Sequence, residues 1–226
     1  MPVNIAAYQS IHASLVDQGV TLIAVSKTKP KEELMELYTL GHRAFGENYV
    51  QELVDKEAAL PKDIQWHFIG HLQSNKVKYI VPFVFMIHGV DSEKLLQEIN
   101  KQAIKQNRVI DCLLQMHIAT EETKFGFDAP ALHELLMSGR MNGYSNIRIR
   151  GLMGMASFSE DQALLSQEFS TLKSNFDKAK QAFPDGSFDT LSMGMSSDYA
   201  LAITKGSNMV RIGSLLFGAR NYPAAK

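Results

Sequence analysis

Lys27 stands where an apolar, β-branched run, Thr21-Leu-Ile-Ala-Val-Ser-Lys27, gives way to Pro30 and the acidic Glu32 and Glu33. The run reads as a buried strand, and the proline with its acids as the start of a helix. In a parallel α/β protein, the C-terminal edge of a strand is where active sites are built. An amine held there beside apolar groups can lose its proton and attack an aldehyde. Taken alone, the segment fits an ordinary surface lysine at a strand end better. What shifts the reading lies at the other end of the chain.

There, Leu191-Ser192-Met-Gly194-Met-Ser196-Ser197-Asp198 is followed by Val210-Arg211-Ile-Gly213-Ser214. In a barrel these are the loops after the last two strands, where a phosphate is often held on N–H groups at the start of a short helix. Gly194 permits a tight chain reversal, and Ser196 and Ser197 offer hydroxyls and amides. Gly213 has no Cβ, so a phosphate oxygen can come close to the main chain. The competing description is a pair of ordinary turns with a Ser/Asp helix cap. Arg211 lies in an otherwise apolar strand and needs a partner or a cavity. That partner is a carboxylate such as Asp198 or Glu47, or else the guanidinium donates into the barrel mouth. A lysine on the first strand, an arginine on the last and a phosphate cradle between them outline pyridoxal 5'-phosphate (PLP). Lys27 would form the imine, the two late loops would hold the phosphate, and Arg211 would meet the pyridine nitrogen.

The elements that must position these residues alternate along the chain. Strand patterns fall at 21–25, 43–45, 65–69, 85–87, 109–118, 147–153, 190–192 and 209–212. Helical patterns fall at 32–40, 49–60, 76–81, 92–106, 131–138, 161–183 and 199–205, with a last short one after Leu215 and an opening amphipathic helix over 4–18. About eight β-then-α units predict an α/β fold, a (β/α)8 barrel of the TIM type with an additional N-terminal helix. An open doubly wound sheet is the alternative. No long linker or composition break divides residues 1–226, so a single domain is expected, and 138–146 reads as turn chemistry.

With 45% apolar and 21% charged residues and a formal net charge of −1, no global field favours nucleic acid or an anionic membrane. Cys112, the only cysteine, sits in an apolar run, which fits a reduced, cytoplasmic protein. The N-terminus shows no signal-peptide pattern, and the longest apolar run, 80–87, is too short to span a bilayer. His67 and His71 flank Gly70 without a third ligand at metal spacing, so no metal site is expected. The several methionines near strand ends read as core filling, with Met155 placed to pack near a cofactor ring. Lys76 and Lys78 read as solvated helix lysines, or as secondary amines for PLP transfer.

Six segments at strand ends carry a resemblance. They are Ala24-Val-Ser-Lys27-Thr-Lys-Pro30, Phe45-Gly-Glu-Asn48-Tyr-Val-Gln-Glu52, Trp66-His-Phe-Ile-Gly70-His71-Leu-Gln-Ser-Asn-Lys76, Arg150-Gly-Leu-Met-Gly-Met155, and the two late loops, the last running to Arg220. Over nearly its full length the chain resembles the PLP homeostasis proteins, barrel relatives of the alanine racemase N-terminal domain. The resemblance implies that Lys27 is the Schiff-base lysine, that Asn48 lines the ring, and that Ser196, Ser197, Gly213 and Ser214 surround the phosphate. It also implies that Arg211 faces the pyridine nitrogen. His117 and Ala119, at the end of the fifth strand, and Asn208 depart from the family pattern, and both changes are expected to alter polar contacts near the mouth. In the racemases, the second acid/base group comes from a tyrosine on an added β-domain. Here the sequence runs on from Arg211 only to Lys226, with Tyr222 a weak substitute, so that domain is expected to be absent. A permanent cation beside the pyridine nitrogen also disfavours its protonation and weakens the ring as an electron sink. The expectation is a monomeric, non-catalytic PLP carrier that serves amino acids or PLP-dependent apoenzymes, with a weak racemase-like enzyme as the alternative.

Overall fold

The computed structural model describes residues 3–121 and 125–218; Arg220 and Tyr222 lie outside the described residues. Eight parallel strands close into one barrel in sequence order. They are β1 (Thr21–Val25), β2 (Ala44–Glu47), β3 (Gln65–Phe68), β4 (Met86–Val90), β5 (Ile110–Met116), β6 (Ile147–Gly154), β7 (Thr190–Met195) and β8 (Met209–Ile212). Closure is made by β1 pairing with β8, with Ile23 opposite Arg211, and this excludes the open sheet. Helices α2 (Lys31–Thr39), α3 (Val50–Ala59), α4 (Val77–Ile80), α5 (Glu93–Lys105), α6 (Ala129–Met137), α7 (Gln162–Lys180), α8 (Tyr199–Thr204) and α9 (Ser214–Phe217) follow the strands in turn. The extra N-terminal helix, α1 (Ile5–Asp17), starts where the Asn4 side chain accepts from the Ala7 N–H at 3.0 Å. It is tied to α9 by Asn4 N–H donating to the Leu216 carbonyl.

Side chains alternate across each strand, so one set fills the barrel and the other meets the helices. The inner set forms its own small cluster of Ile23, Ala44, Met86, Leu113, Met153 and Met209, with Met155 against it. Leu22, Ala24, Phe45, Trp66 and Ile87, each one position out of step, join the larger layer between barrel and helices. The same period of two carries Lys27, Asn48, Met155, Arg211 and Gly213 up the inner face toward the C-terminal mouth.

Two expectations change. Gly194 does not reverse the chain; it stays within β7, at φ 96°, where the pairing with β8 shifts register between Ser192 and Met195. A Cβ there would come within 2.7 Å of the Ala202 Cβ, so glycine lets α8 pack directly on the strand. Asn208 is not near the mouth. It precedes β8 at the opposite end of the barrel, where it donates to the Asp189 carbonyl and accepts from Leu191 N–H. Residues 138–146 hold a short 3-10 turn, Arg140–Gly143. Among the described residues no helix is long and apolar enough to cross a membrane.

Candidate functional site

A cavity of about 450 Å³ opens at the C-terminal ends of the strands. Lys27, Asn48, Met155, Ser196, Ser197, Arg211, Gly213 and Ser214 all line it, so the sequence-predicted residues converge on one space. The volume falls in the usual range for small-molecule sites, about 300–1,000 Å³. Val25, Ile69, Met195 and Leu215 supply apolar wall, and Lys29 and Phe158 stand at the rim. Of these six only Met195 was noted in the sequence, as core filling; the pleat that places Lys27 also places Val25, two residues before it.

Lys27 is half-buried in a turn just past β1, closed by Lys29 N–H donating to the Ser26 carbonyl at 3.1 Å. Next to it Thr28 has φ 62°, the left-handed region that a β-branched residue rarely occupies.

The floor of the cavity is Arg211, only 4% exposed. It takes neither expected carboxylate. One guanidinium nitrogen donates to the Ser192 hydroxyl at 2.7 Å and another to the Gly154 carbonyl at 3.0 Å. Glu47 is instead held by Lys56, and Asp198 accepts from Met195 N–H at 2.6 Å. Burial pulls Arg211 down to about 10, so it remains cationic at neutral pH. Below it the polar chain continues through the barrel core. Ser192 lies 3.4 Å from His88 Nδ1, and His88 Nε2 lies 2.9 Å from His67 Nδ1. Burial drives His88 well below the ordinary imidazole value and His67 to about 3, so both are neutral and can continue the line of hydrogen bonds that starts with the arginine donating to Ser192.

The two late loops are joined by Gly213 N–H donating to the Ser196 hydroxyl at 3.2 Å. Asp198 precedes α8 but does not cap it; its bond to Met195 N–H closes the Ser196–Ser197 loop instead. The first N–H groups of α9 have no carbonyl within their own helix to bond, and Ser214 begins that helix. A Cβ on Gly213 would meet Val25 Cβ and the Val25 carbonyl at 3.3 Å, so glycine here also serves the close approach of β8 to β1.

Behind Lys27, between β1, β2 and α3, lies a buried ionic cluster that the sequence did not reveal. Glu47 and Lys56 are 0% and 3% exposed. Glu47 Oε1 accepts from Lys56 Nζ at 2.7 Å and from the Ser26 hydroxyl at 2.6 Å. Burial outweighs both partners and pushes Glu47 up to about 7. The four-residue spacing of Glu52 and Lys56 was the one sequence signal for this cluster.

His71 bonds Asp91 at 3.0 Å and stacks on Phe125. Lys76 lies in a neighbouring cavity of about 460 Å³ that shares only Asn48 with the first. Its amine sits 5.7 Å over the Tyr79 ring. Among the described residues no cluster of three or more His, Cys, Asp or Glu could hold a metal.

The donor set fits a phosphorylated aldehyde with an aromatic ring. An amine, a cationic floor, a hydroxyl- and amide-rich corner and an apolar wall face one cavity, and Asn48 Oδ1 is buried without a protein partner. Comparison with known proteins gives the same direction. Residues 4–221 match the family model described as the alanine racemase N-terminal domain. The chain is similar to a protein named pyridoxal phosphate homeostasis protein in Pasteurella multocida, 41% identical over 91% of this chain and 89% of that one. A protein of the same name in Aquifex aeolicus is 40% identical over 89% and 87% of the two chains. Among solved structures, PipY of Synechococcus elongatus with PLP bound superposes with a TM-score of 0.81, at 36% identity over 91% of this chain and 97% of that one.

Proposed function

The chain belongs to the pyridoxal phosphate homeostasis proteins of the alanine racemase N-terminal domain family, and on that premise we propose that it binds PLP on Lys27 and buffers or delivers the cofactor. The observation that carries the reading is the convergence of Lys27, Arg211 and the joined Ser196–Gly213 loops on one cavity. When bound, PLP supplies an aldehyde that bonds reversibly to amines and a ring that draws electrons when its nitrogen is protonated. Lys27 provides the amine, and Ser196, Ser197, Gly213 and Ser214 hold the phosphate. Asn48 and Met155 flank the ring. Arg211, fixed by Ser192 and Gly154, presents a cation where a ring nitrogen would need a carboxylate to keep a proton. This favours amine exchange over carbanion chemistry, and so a carrier over a racemase-like enzyme.

The proposal includes a monomer acting in the cytoplasm that passes PLP to amino acids or to PLP-dependent apoenzymes. Titration of the purified protein with PLP tests the reading: a yellow absorbance that saturates at one equivalent supports it. A protein that stays colourless at every PLP concentration contradicts it.

A further inference from the structure

Resting on Lys27 as the amine of the proposed site, we infer that Glu52 and Lys56 of α3 are positioning residues that hold Lys27 in its attacking geometry. Two peptide groups meet at the Lys27 Cα, and α3 grips both. Lys56 Nζ donates to the Ser26 carbonyl, in the peptide before Lys27, at 2.7 Å. Glu52 Oε1 accepts from Thr28 N–H, in the peptide after it, also at 2.7 Å. The two clamps are bonded to each other, Lys56 Nζ to Glu52 Oε1 at 2.7 Å, and Lys56 is anchored in turn to the fully buried Glu47. Lys56 thereby spends its three ammonium protons on three oxygens, each at 2.7 Å.

Thr28 shows what the clamp does. A threonine at φ 62° is disfavoured on its own and persists only where its surroundings fix it, and its N–H is fixed by Glu52. Neither clamp residue lines the cavity. Their hydrogen bonds nearest the ligand are to the backbone on either side of Lys27, so they should govern how readily the amine reaches the aldehyde more than how well the cavity accepts the rest of the molecule.

Two probes separate those quantities. The rate at which PLP becomes attached, read by absorbance, reports the amine. The affinity for pyridoxine 5'-phosphate, which carries an alcohol in place of the aldehyde, reports the cavity without the covalent bond. Glu52 sits in the partly exposed first turn of α3, so Glu52→Leu opens no cavity in the apolar core; it takes one acceptor from Lys56, and circular dichroism checks that the barrel stays folded. It should slow attachment on the order of ten- to a hundredfold while leaving pyridoxine 5'-phosphate affinity unchanged. Glu52→Gln keeps an oxygen for Thr28 N–H and should restore most of the rate. Lys56→Met, isosteric and apolar, should slow attachment in the same way through the Ser26 side. Attachment by Glu52→Leu at the wild-type rate overturns the inference, as does loss of pyridoxine 5'-phosphate affinity in parallel with the rate. A Glu52→Gln protein as slow as Glu52→Leu also overturns it. If the wild-type protein binds pyridoxine 5'-phosphate but never attaches PLP, the functional reading itself fails, and this inference fails with it.

Discussion

Lowering the pH from 7.5 to 5 should destabilise the barrel by at least about 2 kcal/mol, because three histidines are buried in a neutral form. His42, His67 and His88 are 5%, 2% and 0% exposed. Burial lowers His42 to about 4, His67 to about 3 and His88 well below the ordinary value of 6.5. As the pH falls through 6.5 the unfolded chain takes up protons that the folded chain refuses, so the stability these groups contribute above 6.5 is lost. At pH 5 His42 and His67 each lose about 2 kcal/mol, and His88 adds a loss of the same sign. Glu47 acts in the opposite sense. Its folded carboxyl titrates at about 7 against an ordinary 4.5, so it adds stability as the pH falls. Over the same span its share returns about 2 kcal/mol. Typical domains are held folded by only 5–15 kcal/mol, so a net loss of about 2 kcal/mol or more is measurable. Urea unfolding at pH 7.5, 6.5 and 5, followed by circular dichroism, reads it directly. His88→Gln should flatten the dependence, and Glu47→Gln should steepen it by about 2 kcal/mol. A stability that is level or rises toward pH 5 would refute the neutral-histidine floor beneath Arg211.

Removing both hydroxyls, Ser196→Ala with Ser197→Ala, should weaken PLP binding by about 1 kcal/mol per serine with the fold retained; unchanged affinity by equilibrium titration would put the phosphate elsewhere. Gly213→Leu should cut affinity further, because its Cβ would sit 3.3 Å from Val25 and the rest of the side chain would crowd the cavity edge; circular dichroism should still show a folded barrel. The PLP-loaded protein should show no substantial racemase, decarboxylase or transaminase turnover on common L-amino acids in steady-state assays. A rate near the enzyme median of about 10 per second would overturn the carrier reading.

What was legible in the sequence follows from the geometry of parallel strands. A residue that closes an apolar run is at a strand end, and strand ends in a barrel share one rim, so Lys27, Met155 and Gly213 could be brought together without any contact being known, whereas Asn48 came from the family resemblance alone. Arg211 was legible because a cation within the four residues of β8 has to face somewhere polar. What it faces was not legible: Ser192 lies on β7 and Gly154 on β6, and only barrel closure brings these acceptors to it. Glu52 and Lys56 have the spacing of a common exposed helix pair, and nothing local distinguishes that from a buried clamp reaching the neighbouring strand. His88 likewise sits on β4 among residues that read as ordinary core, until His67 is set beside it. Gly194 was misplaced because a bulge and a turn ask the same positive φ of glycine.

The central claim is that Lys27 is the residue that carries PLP, and chemical trapping tests it most directly. The PLP-loaded protein is reduced with borohydride, digested and mapped by mass spectrometry. The pyridoxyl mass should fall on the peptide that contains Lys27, and Lys27→Ala should abolish both the label and the yellow colour at one equivalent of PLP. A label confined to another lysine, such as Lys29 at the cavity rim or Lys76 in the adjoining cavity, would contradict the account.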